Sequence, residues 1–367
     1  MDGLDEVFWG YINEAFVDLE LFHRLAGDRD NNIKRRALFF LQQSTEKAAK
    51  AYAYYMMGAT CIFISNEPLS NYFNRKEYRE ICDRIIAKDT GKVREFLRRE
   101  YGHNARILMQ LNNTLYQVLR NNPDLIDKIV QRLIDLVKLS VNGLNERERI
   151  LSVISPLLRR FIAKVLKSTV DSPAGFIDYK NYDCIDYILT RFHNAESSLS
   201  SLNQQIQQII NTLKDAIPRL IGMCGCQNIE GLNEALDAAS DVLKSALRAY
   251  SYFNILVLPM VNCMGLFEQT SRYCLAEDEG KCPPVDDRSM EKYREVAMYL
   301  GNFINMRESV KVFIQLLDQA FEVLHSLPRG TEPKISIDVE SSGHWDTVKS
   351  LAQCMYRCIN RFSKGIN

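Results

Sequence analysis

An all-α fold is what this sequence predicts, and three observations predict it. Apolar residues recur at three- and four-residue steps through most long segments, the spacing of one helix face. Strand-like alternation is confined to residues 334–339, a single candidate with no partner strand. Hydrophobic residues make up 46% of the 367-residue chain, enough to fill a substantial core between such helices. The length suits two domains, and the stretch 171–182, which holds Pro173 and Gly175, is the best linker. The expected organisation is an N-terminal antiparallel helical bundle over 1–170, followed by a second bundle of long helices over 183–367.

The first helix carries Phe8, Ile12, Ala15, Leu19, Phe22 and Ala26, an unbroken 4-3-4-3-4 stripe. In the second, Leu38, Leu41, Thr45, Ala48, Tyr52 and Tyr55 share one side, which should be core. Gln43, Glu46, Lys47 and Lys50 fall at i, i+3, i+4 and i+7 on another side and read as a solvated face, with Glu46 preceding Lys50 in the favourable order for an ion pair. Gly58 is a good stop for this helix, and residues 59–73 read as a connection.

Helices resume near Arg75. They break at Asp89-Thr90-Gly91 and again at Gly102 before a helix over 104–119. Asn121-Asn122-Pro123 separates it from the next, and a helix over 146–167 is kinked near Pro156. Ile185, Ile188, Phe192, Ala195, Leu199, Leu202, Ile206, Ile209 and Leu213 then form the longest clean seam in the chain. It suits a long helix in an intramolecular bundle, with homodimerisation as the alternative. Leu232, Leu236, Ala239, Leu243, Ala246 and Tyr250 supply a partner stripe. Further helices are expected over 288–324 and 345–362.

Formal net charge is zero, which excludes a protein that coats nucleic acid through bulk charge. Basic residues do outnumber acidic ones between 75 and 106 and again between 146 and 167, and a shared face there would attract phosphate. The acidic N-terminus lacks a signal-peptide pattern. The strongest uncharged run, residues 255–261, is far short of the roughly 20 residues that span a bilayer. A cytoplasmic protein with no membrane association is therefore expected. The ten cysteines lack paired Cys-x-x-Cys knuckles, and buried thiols are the favoured reading. A thiolate site from Cys224, Cys226 and Cys263, and a disulfide between Cys274 and Cys282, are the alternatives. Zinc-protease, phosphate-loop and dinucleotide motifs are absent, so neither metal nor cofactor is expected.

One stretch carries a family likeness. Phe40-Leu41-Gln42-Gln43, then Glu46-Lys47-Ala48 and Lys50-Ala51, set behind a first amphipathic helix and a polar loop, is similar to the opening helical hairpin of HEPN-domain proteins. Tyr101-Gly102-His103-Asn104, leading into Ile107 and Leu108, resembles the start of that family's third helix. The likeness covers roughly residues 5–120 and extends loosely to 170.

The resemblance implies a nucleic-acid- or nucleotide-associated module of a defence or toxin–antitoxin-like system, with RNA or nucleotide as ligand and a nucleotidyltransferase or antitoxin as partner. On that reading Arg94, Arg99, Arg106, Lys47 and Lys50 would contact nucleic acid. Active members resemble metal-independent endoribonucleases carrying Arg, four to six residues, then His, and Arg98 and His103 are the match in this chain. Cleavage of RNA by its own 2′-hydroxyl needs a proton-transferring group and a fixed cation, which that pair supplies. A local capping role for His103 at the third helix is the competing assignment. A non-enzymatic scaffold that oligomerises through the 185–213 seam is the third reading.

Overall fold

A computed structural model describes residues 2–64, 184–223, 230–264, 282–313 and 315–316, with isolated positions 124, 127, 128, 131, 346, 347, 350, 353 and 354. Of these residues 91% are helical and none lies in a strand. The protein is all-α, as its periodicity predicts. The chain divides into two compact units that interleave along the sequence. The first comprises Met1–Val118, Ser172–Ser198 and Arg248–Arg307, and the second Leu119–Asp171, Leu199–Leu247 and Glu308–Asn367.

The first unit is built on α1 (Asp2–Leu25) and α2 (Asn31–Ile64). Short polar residues make the turn between them. Asp28 Oδ1 accepts from Asp30 N at 2.8 Å, and Asp30 in turn caps α2 by accepting from Asn32 N at 2.7 Å. Such side chains satisfy the backbone donors that a helix start leaves open. The two helices run antiparallel: Phe8 meets Tyr52, the hydroxyl of Ser44 donates to Ala15 O at 2.7 Å, and Lys47 meets Glu14 and Asp18.

The five stripe residues of α1 and Ala26 just beyond it are buried, as are Leu38, Leu41, Thr45, Ala48 and Tyr52 of α2. Complete burial of a large apolar side chain contributes about 1.5–3 kcal/mol, so this hairpin carries its own core. Two expectations need correction. The helix continues through Gly58 to Ile64, because glycine weakens a helix interior without ending it unless the next turn unwinds. The Glu46 face is not solvated either: Glu46 is 7% exposed, and the Lys47 and Lys50 side chains are 24% and 13% exposed.

The rest of this unit closes over the hairpin. The helix α3 (Cys184–Met223) contributes residues 184–198, and α4 (Leu232–Tyr252) contributes residues 248–252. A π-helical turn, Phe253–Val257, leads from α4 into α5 (Leu258–Met264), with Leu258 N–H bonded to Phe253 O five residues back. Pro259 accounts for the widening. It has no N–H to give, and its ring would strike the carbonyl four residues earlier in a regular α-helix.

The last element, α6 (Asp287–Asn305), is capped by Asp286, whose carboxylate accepts from Ser289 N at 3.0 Å. It buries Met290, Tyr293, Val296, Ala297, Leu300, Phe303 and Ile304. Arg294 donates to Ala26 O at 2.8 Å, closing the C-terminal end of α1, and the Tyr52 hydroxyl donates to Phe303 O at 2.9 Å. Phe253 and Phe303 stack near the Tyr52 ring.

Cys184 and Cys263 form a disulfide within this unit, across 79 residues of sequence, and both are buried. Cys282 and Cys354 are each disulfide-bonded as well. The expectation of buried free thiols is therefore corrected for these four, and Cys263 is not available to a thiolate site with Cys224 and Cys226. Sequence spacing could not show this, because the Cys184 and Cys263 positions meet only once α3 and α5 are packed.

In the second unit, residues 199–223 of α3 run antiparallel to residues 232–247 of α4. Lys214 pairs with Asp237 at 2.6 Å, and Lys244 donates to Gln207 at 2.6 Å. Ile206, Ile210, Leu232, Ala235, Leu236 and Ala246 are buried here. Gly231, at φ 75°, precedes α4, and its carbonyl accepts from Ala235 N. That left-handed conformation suits glycine because it has no Cβ. The described positions 346, 347, 350, 353 and 354 are helical, within the helix expected over 345–362. The strand candidate at 334–339 lies outside the described residues.

Candidate functional site

Two polar clusters stand out among the described residues, both in the first unit. The first grows from the α2 motif. Lys47 Nζ lies 2.8 Å from Asp18 and 3.1 Å from Glu14, and Lys50 lies 2.5 Å from Glu46 one turn away. Burial alone would lower the Lys47 ammonium, but its hydrogen bonds to Asp18 and Glu14 outweigh that and hold its pKa above the ordinary lysine value. Gln42 Oε1 and Gln43 Nε2 are buried beside these ion pairs without a protein partner.

Both lysines expected to contact nucleic acid therefore have carboxylate partners inside the hairpin. Their side chains are 24% and 13% exposed; Lys47 braces α2 against α1, and Lys50 pairs within α2. Arg94, Arg98, Arg99, His103 and Arg106 lie outside the described residues.

The second cluster joins α3, α4 and α6. The periodicity of α3 turns Phe192 inward, and Phe192 packs against the rings of Tyr252 and Tyr299 at 4.6 and 4.5 Å. His193 and Glu196 follow at the border of that apolar patch. His193 Nε2 lies 2.9 Å from Glu295 Oε1 and 3.3 Å from the Tyr299 hydroxyl. Glu196 Oε1 accepts from Tyr252 at 2.7 Å and from Arg248 at 3.0 Å, while the Arg248 guanidinium sits 5.5 Å over the Tyr252 ring. Lys292 and Asp186 extend the same strip at 2.5 Å.

The electrostatics follow from these contacts. The Tyr252 hydrogen bond, with help from Arg248, holds Glu196 below the usual carboxylate range despite partial burial. Burial, reinforced by Glu196, pushes the Tyr252 phenol up to about 12. Tyr299 is raised as well, by burial and then by the charges of Glu295 and Glu196. A carboxylate-held imidazole beside a fixed guanidinium is a set of groups able to move protons and meet an anion. In this structure Glu196 is engaged by Arg248 and Tyr252, Glu295 by His193 and Asp186 by Lys292, and the cluster fastens three helices.

In the sequence, His193 only follows the seam residue Phe192, and nothing around it marks it as a site. The available signal was spacing on each helix alone: His193 with Glu196 on α3, and Glu295 with Tyr299 on α6. The pairing itself spans 102 residues and leaves no local trace. Among the described residues no group of three or more His, Cys, Asp or Glu side chains could hold a metal ion, and no helix is long and apolar enough to cross a membrane. Comparison with known proteins adds no relative: no family model, no curated protein and no solved structure matches this chain.

Proposed function

We propose that this chain is a HEPN-like cytoplasmic module that associates with RNA or a nucleotide, in a defence or toxin–antitoxin-like system with a nucleotidyltransferase or antitoxin as partner. The observation that supports it is the α1–α2 hairpin. Residues of the motif that carries the resemblance meet across that hairpin or within it: Lys47 with Glu14 and Asp18, and Glu46 with Lys50.

Because those lysines already have internal partners, phosphate contacts on this reading fall to Arg94, Arg99 and Arg106. The enzymatic form of the proposal assigns metal-independent RNA cleavage to Arg98 and His103. The histidine would move the proton of the attacking 2′-hydroxyl, and the arginine would stabilise the charge developing at phosphorus.

The test is RNA binding as a function of salt, together with RNA cleavage in EDTA. Affinity should fall steeply as salt rises if arginines contact phosphates. Lys47→Met should leave the salt slope unchanged, whereas Arg99→Met should reduce it by about one ion. No detectable RNA or nucleotide binding, or binding indifferent to salt, sinks the association. Cleavage by the wild type that disappears in His103→Ala supports the enzymatic form, and equal cleavage by both proteins removes it.

A further inference from the structure

The disulfide between Cys184 and Cys263 stands at a particular place in the chain's path. The chain leaves the first unit after Ser198 and returns to it at Arg248, so everything between belongs to an excursion of residues 199–247. Cys184 lies at the start of the helix that leads out. Cys263 lies on α5, just beyond the helix that leads back. The same stem is fastened inside the first unit by Glu196 with Arg248 at 3.0 Å and with Tyr252 at 2.7 Å. Cys184 is 2% exposed and Cys263 0%, which leaves no path for a small thiol to attack either sulfur while the unit is folded.

We propose that Cys184–Cys263 is a permanent lock on the stem of this excursion, closed during folding, and that the protein matures where thiols are oxidised. The chemistry balances by exchange. The two thiols lose two protons and two electrons to a disulfide of the thiol–disulfide oxidoreductase class, which leaves as a dithiol. A bond this deeply buried is unsuited to a redox switch, which needs an accessible sulfur. Cys282 and Cys354 are also disulfide-bonded, so the bond at the stem is not an isolated case. Disulfides of this kind persist in secretory or periplasmic spaces and in the cytosol of hyperthermophiles. If the protein is cytoplasmic, its cytosol is of the latter sort. This inference is independent of any RNA or nucleotide activity.

The experiment is thiol trapping on the full chain produced in an oxidising compartment, with alkylation before and after denaturation and peptide mapping without reductant. The expected result is a cross-linked Cys184–Cys263 peptide. That link should survive millimolar reduced glutathione in the native protein and open only after unfolding. A protease cut within 199–247 should leave the two fragments joined until reductant is added to denatured material.

The double variant Cys184→Ser/Cys263→Ser should raise the unfolding equilibrium constant about a thousandfold, the loop-closure effect for a bridge of this span. Free, alkylatable Cys184 and Cys263 in protein made under oxidising conditions would overturn the proposal. Ready opening by glutathione in the native state would do so as well, and would make the bond a switch. The trapping readout stands even if the double variant does not fold.

Discussion

The hairpin of α1 and α2 and the junction of α3, α4 and α6 hold helices together by different means. In the hairpin, apolar stripes close on each other and the polar groups are buried between paired charges. At the junction, a small aromatic patch around Phe192 is rimmed by partly exposed ion pairs, and a disulfide lies within the same unit. The first arrangement rests mainly on apolar burial, which does not titrate, with the ion pairs of Lys47 and Lys50 beside it. The second depends on charges that titrate and are screened.

The contrast is most strongly tested in the hairpin. Phe22 is fully buried on the α1 stripe, so Phe22→Ala should cost about 3–5 kcal/mol through lost transfer energy and the cavity left behind. Denaturant unfolding measures it, and a loss under about 1 kcal/mol would mean that the stripe is not a core.

A smaller effect belongs to Tyr252, and it appears in alkali. Its folded pKa is raised from an ordinary 10.0 to about 12. Between those values the unfolded chain has lost a proton that the folded chain keeps, so stability falls as pH rises from about 10 to about 12, by on the order of 2 kcal/mol. Tyr252→Phe should flatten that part of the profile relative to wild type, and an unchanged slope would refute the assignment. Glu196 acts at the other end. Its lowered folded pKa makes its contribution complete above the ordinary carboxylate range, and the contribution is lost as pH falls through the folded value.

The smallest effect is expected at His193. Its side chain is 49% exposed and that of Glu295 34%, so His193→Gln should change stability by less than about 1 kcal/mol. Thermal melts at low and high salt check this, and a loss comparable to that of Phe22→Ala would invert the comparison between the two regions.

The two regions also differ in how far they were legible in the sequence. The hairpin stripes were readable residue by residue because helical burial obeys a local period, and the structure buries Phe8 through Ala26 at that period. The solvated reading of Glu46 failed because charge type predicts exposure only until another element covers the face. Gly58 misled for a related reason: local propensity is a weak signal that surrounding structure overrides. At the junction the informative distances are long. His193 and Glu295 are separated by 102 residues, and Cys184 and Cys263 by 79, so no window of the sequence contains both partners. The arginine–histidine pair at 98 and 103 lies outside the described residues.

The widened turn at Phe253–Val257 has a consequence for how the chain can change in length. It lets adjacent residues serve different neighbours: Tyr252 reaches Glu196, while Phe253 stacks near Tyr52 and Phe303. Deleting one residue there would remove the widening, and a regular turn would then set the Pro259 ring against the carbonyl four residues before it. Substitutions in this segment would be graded by size and polarity, whereas a one-residue deletion would take away the turn that accommodates Pro259. Among variants of this chain, residues 253–263 should accept exchanges of side chain and keep their number fixed.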